Sequence, residues 1–125
     1  MKRSNVDEKL TYHTAFTTSI DARHDITTGV SANDRTHTIL IAIDEKSTKD
    51  DIITPGHVFP IIANNRGVLA CNGHTEASVE IAKLVDPNHA AVGCELVNDD
   101  GSMMRLPQLL EFAEQHKIKL TTSKS

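Results

Sequence analysis

Apolar residues recur at two spacings along the chain, and these spacings separate the predicted strands from the predicted helices. Loose alternation with many threonines predicts a strand over 12–20. A short apolar run predicts a second strand over 57–63, which Pro60 moves to a sheet edge or a bulge. An apolar run of strand length, interrupted by one glutamate, predicts a third strand over 90–97, and 118–120 is a last short one.

Helical spacing or helix-start signals mark three other segments. Ser31, with Asp34 three residues later, approximates a capping box and predicts a helix over 31–43. An apolar face at helical spacing predicts a second helix, and Pro107, which suits a first helical position, begins a third that ends near His116. The apolar faces of the last two helices comprise Ala77, Ile81, Leu84 and Val85, and then Leu106, Leu109, Leu110 and Ala113.

Polar stretches separate these elements. Charged residues predict an exposed turn over 21–25 and a connector over 44–51, with a short turn near 47–50. Glycine, asparagine and aspartate predict turns at 64–67 and 98–101.

Strands that alternate with helices favour an α/β domain, an α+β layered sandwich with a mixed sheet. We expect residues 1–125 to form one domain with frayed ends over 1–10 and 121–125.

Composition narrows the possible functions. The formal net charge is -4 and there is no basic tract, which argues against nucleic acid as a partner. No signal peptide and no apolar run of membrane-spanning length is present, so we expect a cytoplasmic protein without a membrane partner. Cys71 and Cys94 form no C-x-x-C motif and are expected to be free thiols.

The hexapeptide NGHTEA, residues 72–77, carries the clearest candidate chemistry. A glycine turn delivers His74, a hydroxyl and a carboxylate into the first turn of a helix. Free backbone N–H groups and the helix dipole favour an anion there, and the histidine is a candidate metal ligand. A phosphorylated sugar would suit such a site, although a capped surface helix explains the same residues.

Three further positions have both a chemical and an ordinary interpretation. Glu95 interrupts an apolar strand, so it is either an acid–base group or a residue on the solvent face. His57 follows a Pro-Gly turn and is either a proton-transfer group or an inert edge residue. Asp34 and Arg35 offer an anion-binding helix start or an ordinary cap with a local salt bridge.

Several of these residues lie in motifs that resemble one family. The stretches TTGVSANDRT (27–36), PGHVFP (55–60), GHTEA (73–77) and CELVNDDG (94–101) occur in this order, followed by RLP and EFA within 105–113. From about 12 to 120 the chain resembles the carboxy-terminal part of 3,4-dihydroxy-2-butanone 4-phosphate synthase, an enzyme family of riboflavin biosynthesis.

The resemblance implies a function. The family converts D-ribulose 5-phosphate into the butanone phosphate and formate as a homodimer, using Mg²⁺, with Mn²⁺ as a second candidate ion. By position, His74 matches the family's metal ligand, and Gly73 and Thr75 match its phosphate loop. Glu95 and His57 match its catalytic glutamate and histidine, and the histidine approaches the site from the neighbouring subunit.

The chain also departs from the family pattern. The family's RENEGD loop, which supplies another metal-binding glutamate, has no counterpart in the 125 residues. Cys71 and Thr54 stand where the family has arginines, so phosphate binding should be weaker. Three hypotheses remain. The first is a short synthase, active alone or with its missing half supplied in trans, and the second is a non-catalytic module that binds sugar phosphates or partners. In the third, His74 and His57 hold a transition metal without any sugar chemistry.

Overall fold

The computed structural model describes residues 15–85 and 88–122, and the structural statements below concern these ranges. The predicted lead-in over 1–10 and the end of the predicted tail lie outside them. The chain divides into two compact units, Met1–Asn65 and Arg66–Ser125, which are described separately. The single domain therefore stays a prediction.

Two short antiparallel ladders and one helix build the first unit. The strands are β1 (Ala15–Phe16), β2 (Ile20–Ala22), β3 (Ile52–Val58) and β4 (Ile61–Ile62). β1 pairs with β4, and β2 pairs with β3. Pro60 lies in the break between β3 and β4, as expected for a residue that cannot donate a ladder hydrogen bond, and its carbonyl accepts one from the Thr17 N–H.

Helix α1 (Ala32–Ile43) begins and ends where the sequence predicts. The Ser31 hydroxyl accepts a hydrogen bond from the Asp34 N–H at 3.1 Å, which satisfies one of the free donors of the first turn. Thr38, which is completely buried, faces β2 and accepts a hydrogen bond from the Ala22 N–H at 2.9 Å. A polar contact therefore joins the helix to the buried strand.

Replacing Thr38 with valine should destabilise the chain by about 1–3 kcal/mol, because the Ala22 N–H would stay buried without an acceptor. Urea unfolding should show a lower midpoint at an unchanged slope. Thr36→Val, at an exposed position of the same helix, should change stability by no more than about 0.5 kcal/mol. Equal effects from both substitutions would contradict the role of the hydroxyl.

The second unit contains helices α2 (His74–Val85) and α3 (Leu106–His116), and both confirm the predictions. The predicted turn over 98–101 is also present. The Gly101 N–H donates to the Asn98 carbonyl at 2.9 Å, and Gly101 has a φ of 84°, which glycine adopts without strain.

Two predicted strands of the second unit are wrong. Residues 89–96 form no ladder within the described ranges, and next to them only Val97 makes a single bridge, to Met103. Residues 118–120 are not a strand either. An apolar run of strand length becomes a strand only when another backbone pairs along it, and among the described residues pairing is limited to the end of the run, at Leu96 and Val97.

The apolar faces of both helices are at helical spacing but are largely uncovered. Leu84 is 84% exposed, and Leu106 and Leu110 are more than half exposed. No residue of α3 is buried in the described part of the chain, so the buried stripe predicted for this helix is wrong. Spacing defines such a face, whereas burial requires a second element packed against it.

The fold belongs to the α+β class, as the sequence predicts, with helices and small antiparallel sheets. The predicted mixed sheet is wrong for the described residues, because their strands form two separate antiparallel ladders and contain no parallel pair. Within the described residues, no helix has the length and apolar character needed to cross a bilayer.

Candidate active site

His57 lies where the pairing between β2 and β3 changes register. Ile20 pairs with Val58, but the next residue, Asp21, pairs with Ile53. The intervening residues of β3, which include His57, therefore form an excursion from the ladder. Such bulges redirect side chains at the edges of sites, and here the His57 side chain is left 48% exposed.

The partner of His57 is the buried carboxylate of Asp21. Oδ2 of Asp21 lies 2.8 Å from Nδ1 of the ring, and Oδ1 accepts a hydrogen bond from the His57 backbone N–H at 2.9 Å. The Asp21 side chain is only 7% exposed. One carboxylate therefore holds both the backbone and the ring of this histidine.

The sequence prediction for Asp21 is wrong. The charged run over 21–25 predicts an exposed turn, but Asp21 and Ala22 are buried in β2, and the turn begins after them. Pairing with β3 extends the strand past Ile20. The alternation of Ile20, Asp21 and Ala22 carries this signal, but it does not show that an ionisable side chain would face the interior.

Gly29 links this pair to the turn that precedes α1. Its φ is 82°, and a Cβ atom here would lie 2.5 Å from Oδ2 of Asp21 and 2.8 Å from Nδ1 of His57. Only glycine fits, because any side chain would be strained and would contact both members of the pair. The TTG segment of the sequence motif therefore packs directly against the histidine.

Asp34 organises the same turn. Its carboxylate accepts hydrogen bonds from the Thr27 hydroxyl at 2.7 Å, the Thr27 N–H at 3.2 Å and the Gly29 N–H at 3.0 Å. The hydrogen bond from the Thr27 hydroxyl is the largest cause of a lowered Asp34 pKa. The neighbouring Arg35 is exposed, and no Asp34–Arg35 salt bridge occurs among the described residues.

In the second unit, Gly73, His74 and Thr75 lie together at the start of α2. His74 is the first helical residue and is exposed, whereas Gly73 and Thr75 are half-buried. The helix closes its first turn from the Ala77 N–H to the Gly73 carbonyl at 3.0 Å. The backbone donors of a first turn suit an anion, as the sequence predicts.

Beneath this helix start, Cys71 interacts with the buried Glu76. A hydrogen bond to the Glu76 carboxylate is the main reason that the Cys71 thiol has a raised pKa, and burial and the negative charge of Glu76 act in the same direction. A Cβ atom on Gly73 would lie 2.5 Å from Oε2 of Glu76. Cys71 is therefore held as a neutral thiol beside the glycine of the loop.

The setting predicted for Glu95 is wrong. The sequence predicts a carboxylate in the middle of an apolar strand, but Glu95 is exposed and lies in segment 89–96, which forms no ladder in the described structure. The costly burial that made it a candidate acid–base group is absent from this structure, since no described strand covers the segment. The assignment of Glu95 by resemblance stays a prediction.

The described residues do not fit a complete site for a divalent ion. They contain no group of three or more histidine, cysteine, aspartate or glutamate side chains able to hold a metal. His74 supplies one nitrogen, whereas Mg²⁺ prefers an octahedral set of oxygen ligands.

The structure assembles two parts of the predicted site. In the first unit, Gly29 connects His57 with the turn held by Asp34, and Asp21 is the partner of His57 that the sequence does not predict. In the second unit, Gly73, His74 and Thr75 share one helix start. The roles of these residues in catalysis, phosphate binding and metal binding stay predictions.

Comparison with known proteins identifies the class first. The Staphylococcus epidermidis riboflavin biosynthesis protein RibBA is 46% identical over 125 residues, which is all of this chain and 31% of the relative. A 3,4-dihydroxy-2-butanone 4-phosphate synthase of Neisseria meningitidis is 51% identical over 111 residues, 89% of this chain and 31% of the relative. This α+β chain is therefore similar to proteins of riboflavin biosynthesis.

The family follows from two further findings. A family profile described as 3,4-dihydroxy-2-butanone 4-phosphate synthase matches residues 1–125. A solved structure of such a synthase in complex with two magnesium ions superposes with a TM-score of 0.82 at 30% identity, covering 97% of this chain and 62% of that one. The chain belongs to the 3,4-dihydroxy-2-butanone 4-phosphate synthase family. It spans about a third of the length of the two curated relatives.

Proposed function

We propose that this chain acts in the conversion of D-ribulose 5-phosphate to 3,4-dihydroxy-2-butanone 4-phosphate and formate. The observation that carries the proposal is the His57 ring, which is half exposed and hydrogen-bonded to a buried carboxylate. Removing a proton beside a carbonyl group requires a general base. A half-exposed histidine ring held by a carboxylate can act as one. Family membership supplies the substrate class.

The substrate-binding roles are proposed for the residues of each unit separately. In the second unit, the first-turn N–H groups of α2, with Gly73 and Thr75, bind the phosphate. In the first unit, Arg35 is a separate candidate cation for the substrate. Asp34 acts indirectly, because its carboxylate already holds the 27–29 turn through three hydrogen bonds. Glu95 is the second acid–base group. This role requires a second chain to cover segment 89–96, which is exposed in the described structure.

His74 contributes one ligand to a divalent ion, and oxygen ligands from a second polypeptide complete the site. The family member solved with two magnesium ions makes Mg²⁺ the first ion to test, and Mn²⁺ the second. The ion would stabilise the negative charge that develops on the substrate oxygens.

A second chain is part of the proposal. The partner is either a second copy of this chain, in a homodimer, or a polypeptide that supplies the remainder of a longer relative's sequence. The exposed apolar faces of α2 and α3 support association, since they lie uncovered in the described structure. The cytoplasm is the proposed location.

The test is formate release from ribulose 5-phosphate with Mg²⁺, measured for the pure chain alone and with an amino-terminal fragment of a longer relative. We expect turnover in at least one of the two mixtures and its loss when EDTA removes the ion. No formate at high protein concentration in either mixture would disprove the enzymatic proposal. Sugar-phosphate binding in calorimetry would then indicate a non-catalytic module.

The active mixture should lose its turnover in His74→Ala and in Glu95→Ala. Because both residues are exposed in the described structure, neither substitution should alter the unfolding midpoint of the isolated chain. Retained turnover in one of these variants would remove the role proposed for that residue.

A further inference from the structure

The contact between Asp21 and His57 determines which ring nitrogen carries the proton. An ionised carboxylate can only accept hydrogen bonds, and both of its oxygens are engaged by His57. Nδ1, at 2.8 Å from Oδ2, must therefore be the donor. In the neutral ring this leaves the lone pair on Nε2, the nitrogen that is not bound to Asp21.

Three features of the first unit hold this arrangement in place. At the register change Asp21 pairs with Ile53, and His57 lies in the intervening part of β3, where its backbone N–H reaches Oδ1 of the Asp21 side chain at 2.9 Å. The positive φ of Gly29, and the absence of a side chain there, leave room for the carboxylate beside the ring. The Gly29 N–H is bound in turn to the buried Asp34 carboxylate at 3.0 Å, which ties the turn to α1.

We propose that Asp21 is a positioning residue that fixes the Nδ1–H tautomer and the ring orientation of His57, so that Nε2 accepts the proton in the reaction. The statement about proton transfer rests on the proposed function, whereas the statement about the tautomer does not. The proton moves from the substrate carbon to Nε2, and the imidazolium that forms keeps its Nδ1–H bond to the negative carboxylate. The electron pair of the broken C–H bond passes to the substrate carbonyl, which becomes an enediolate, so atoms and charge balance between the substrate and the histidine.

Nitrogen-15 NMR of the full chain labelled at histidine tests the tautomer directly, above the pH at which the ring is protonated. The signals of His57 are assigned by their disappearance in His57→Gln. We expect a protonated Nδ1 and an unprotonated Nε2 in the wild-type chain. The opposite neutral tautomer would overturn the proposal, and this measurement requires no variant at Asp21.

Asp21→Asn should reverse the tautomer. The side-chain carbonyl oxygen of the introduced amide would still accept from the His57 N–H, but its NH₂ group would donate to Nδ1 and leave the ring proton on Nε2. Asp25→Asn removes the same charge from an exposed turn, and asparagine tolerates its φ of 60°. We expect the wild-type tautomer there. A folded Asp21→Asn variant that keeps the Nδ1–H tautomer would contradict the proposal.

Measurements of kcat and KM test the positioning role of Asp21 separately from the proposed function. In the active mixture, Asp21→Asn should lower kcat by about 10²–10⁴-fold with little change in KM, and Asp25→Asn should lower neither. A wild-type kcat in a folded Asp21→Asn variant would overturn the positioning role. If the wild-type chain shows no turnover in any mixture, the proposed function fails, while the NMR result still decides the tautomer.

Discussion

Gly56→Ala should destabilise the first unit by about 3 kcal/mol or more, the upper end of the cost of an overpacked interior. A Cβ atom at this position would overlap the backbone carbon and oxygen of Ile20 and the backbone nitrogen of Asp21. Backbone atoms of a paired strand cannot rotate away as a long side chain can. The ladder between β2 and β3 would have to separate, and the contact between Asp21 and His57 would separate with it.

Urea unfolding and the His57 NMR signals measure the two consequences of Gly56→Ala. Gly93→Ala is the matched control, since a Cβ atom there would meet no heavy atom within 4 Å and its φ is not positive. We expect the control to unfold within about 0.5 kcal/mol of the wild-type chain. A similarly small effect at Gly56 would show that the close approach of the two strands is not required.

His57→Gln should lower formate release by about 10²–10⁴-fold in the mixture that is active, because glutamine cannot take up a proton near neutral pH. The amide can still receive substrate hydrogen bonds, so KM should change much less than kcat. The measurement is the initial rate of formate release over a range of ribulose 5-phosphate concentrations.

His24→Gln provides the comparison for His57→Gln. His24 is exposed, lies in the turn after β2 and is assigned no catalytic role. His24→Gln should unfold at nearly the wild-type midpoint, whereas His57→Gln should unfold at a lower one because the buried Asp21 carboxylate loses the ring donor. Both rates are therefore measured under conditions in which each variant is fully folded, which separates a chemical effect from a folding effect. Rates within a few-fold of each other in the two variants would remove His57 from the proposed reaction.

Local sequence signals predicted the elements whose ends are set by neighbouring residues. Ser31 caps α1, and the turn before Gly101 closes by a hydrogen bond to Asn98. Pro107 lies in the first turn of α3, where a missing N–H costs nothing. Each of these features is formed by a few consecutive residues, so it does not depend on how the rest of the chain packs.

Part of the candidate site could also be predicted from local sequence signals. The positions of His57 in β3 and of His74 at the start of α2 follow from the glycine and proline residues around them. The partner of His57 does not follow, because Asp21 is 36 residues away in the chain and its run of charges favours an exposed turn. Only strand pairing brings the two residues together.

The sequence by itself therefore determined the family, the helices, the glycine turns and the residues that carry candidate chemistry. The tertiary structure determined which of these residues are buried and which are in contact with each other. It buried Asp21 beneath His57, left Glu95 exposed and left the apolar faces of α2 and α3 uncovered. The physical reason is that a cap or a turn is completed by near neighbours, whereas burial and strand pairing depend on a second segment packed against the first.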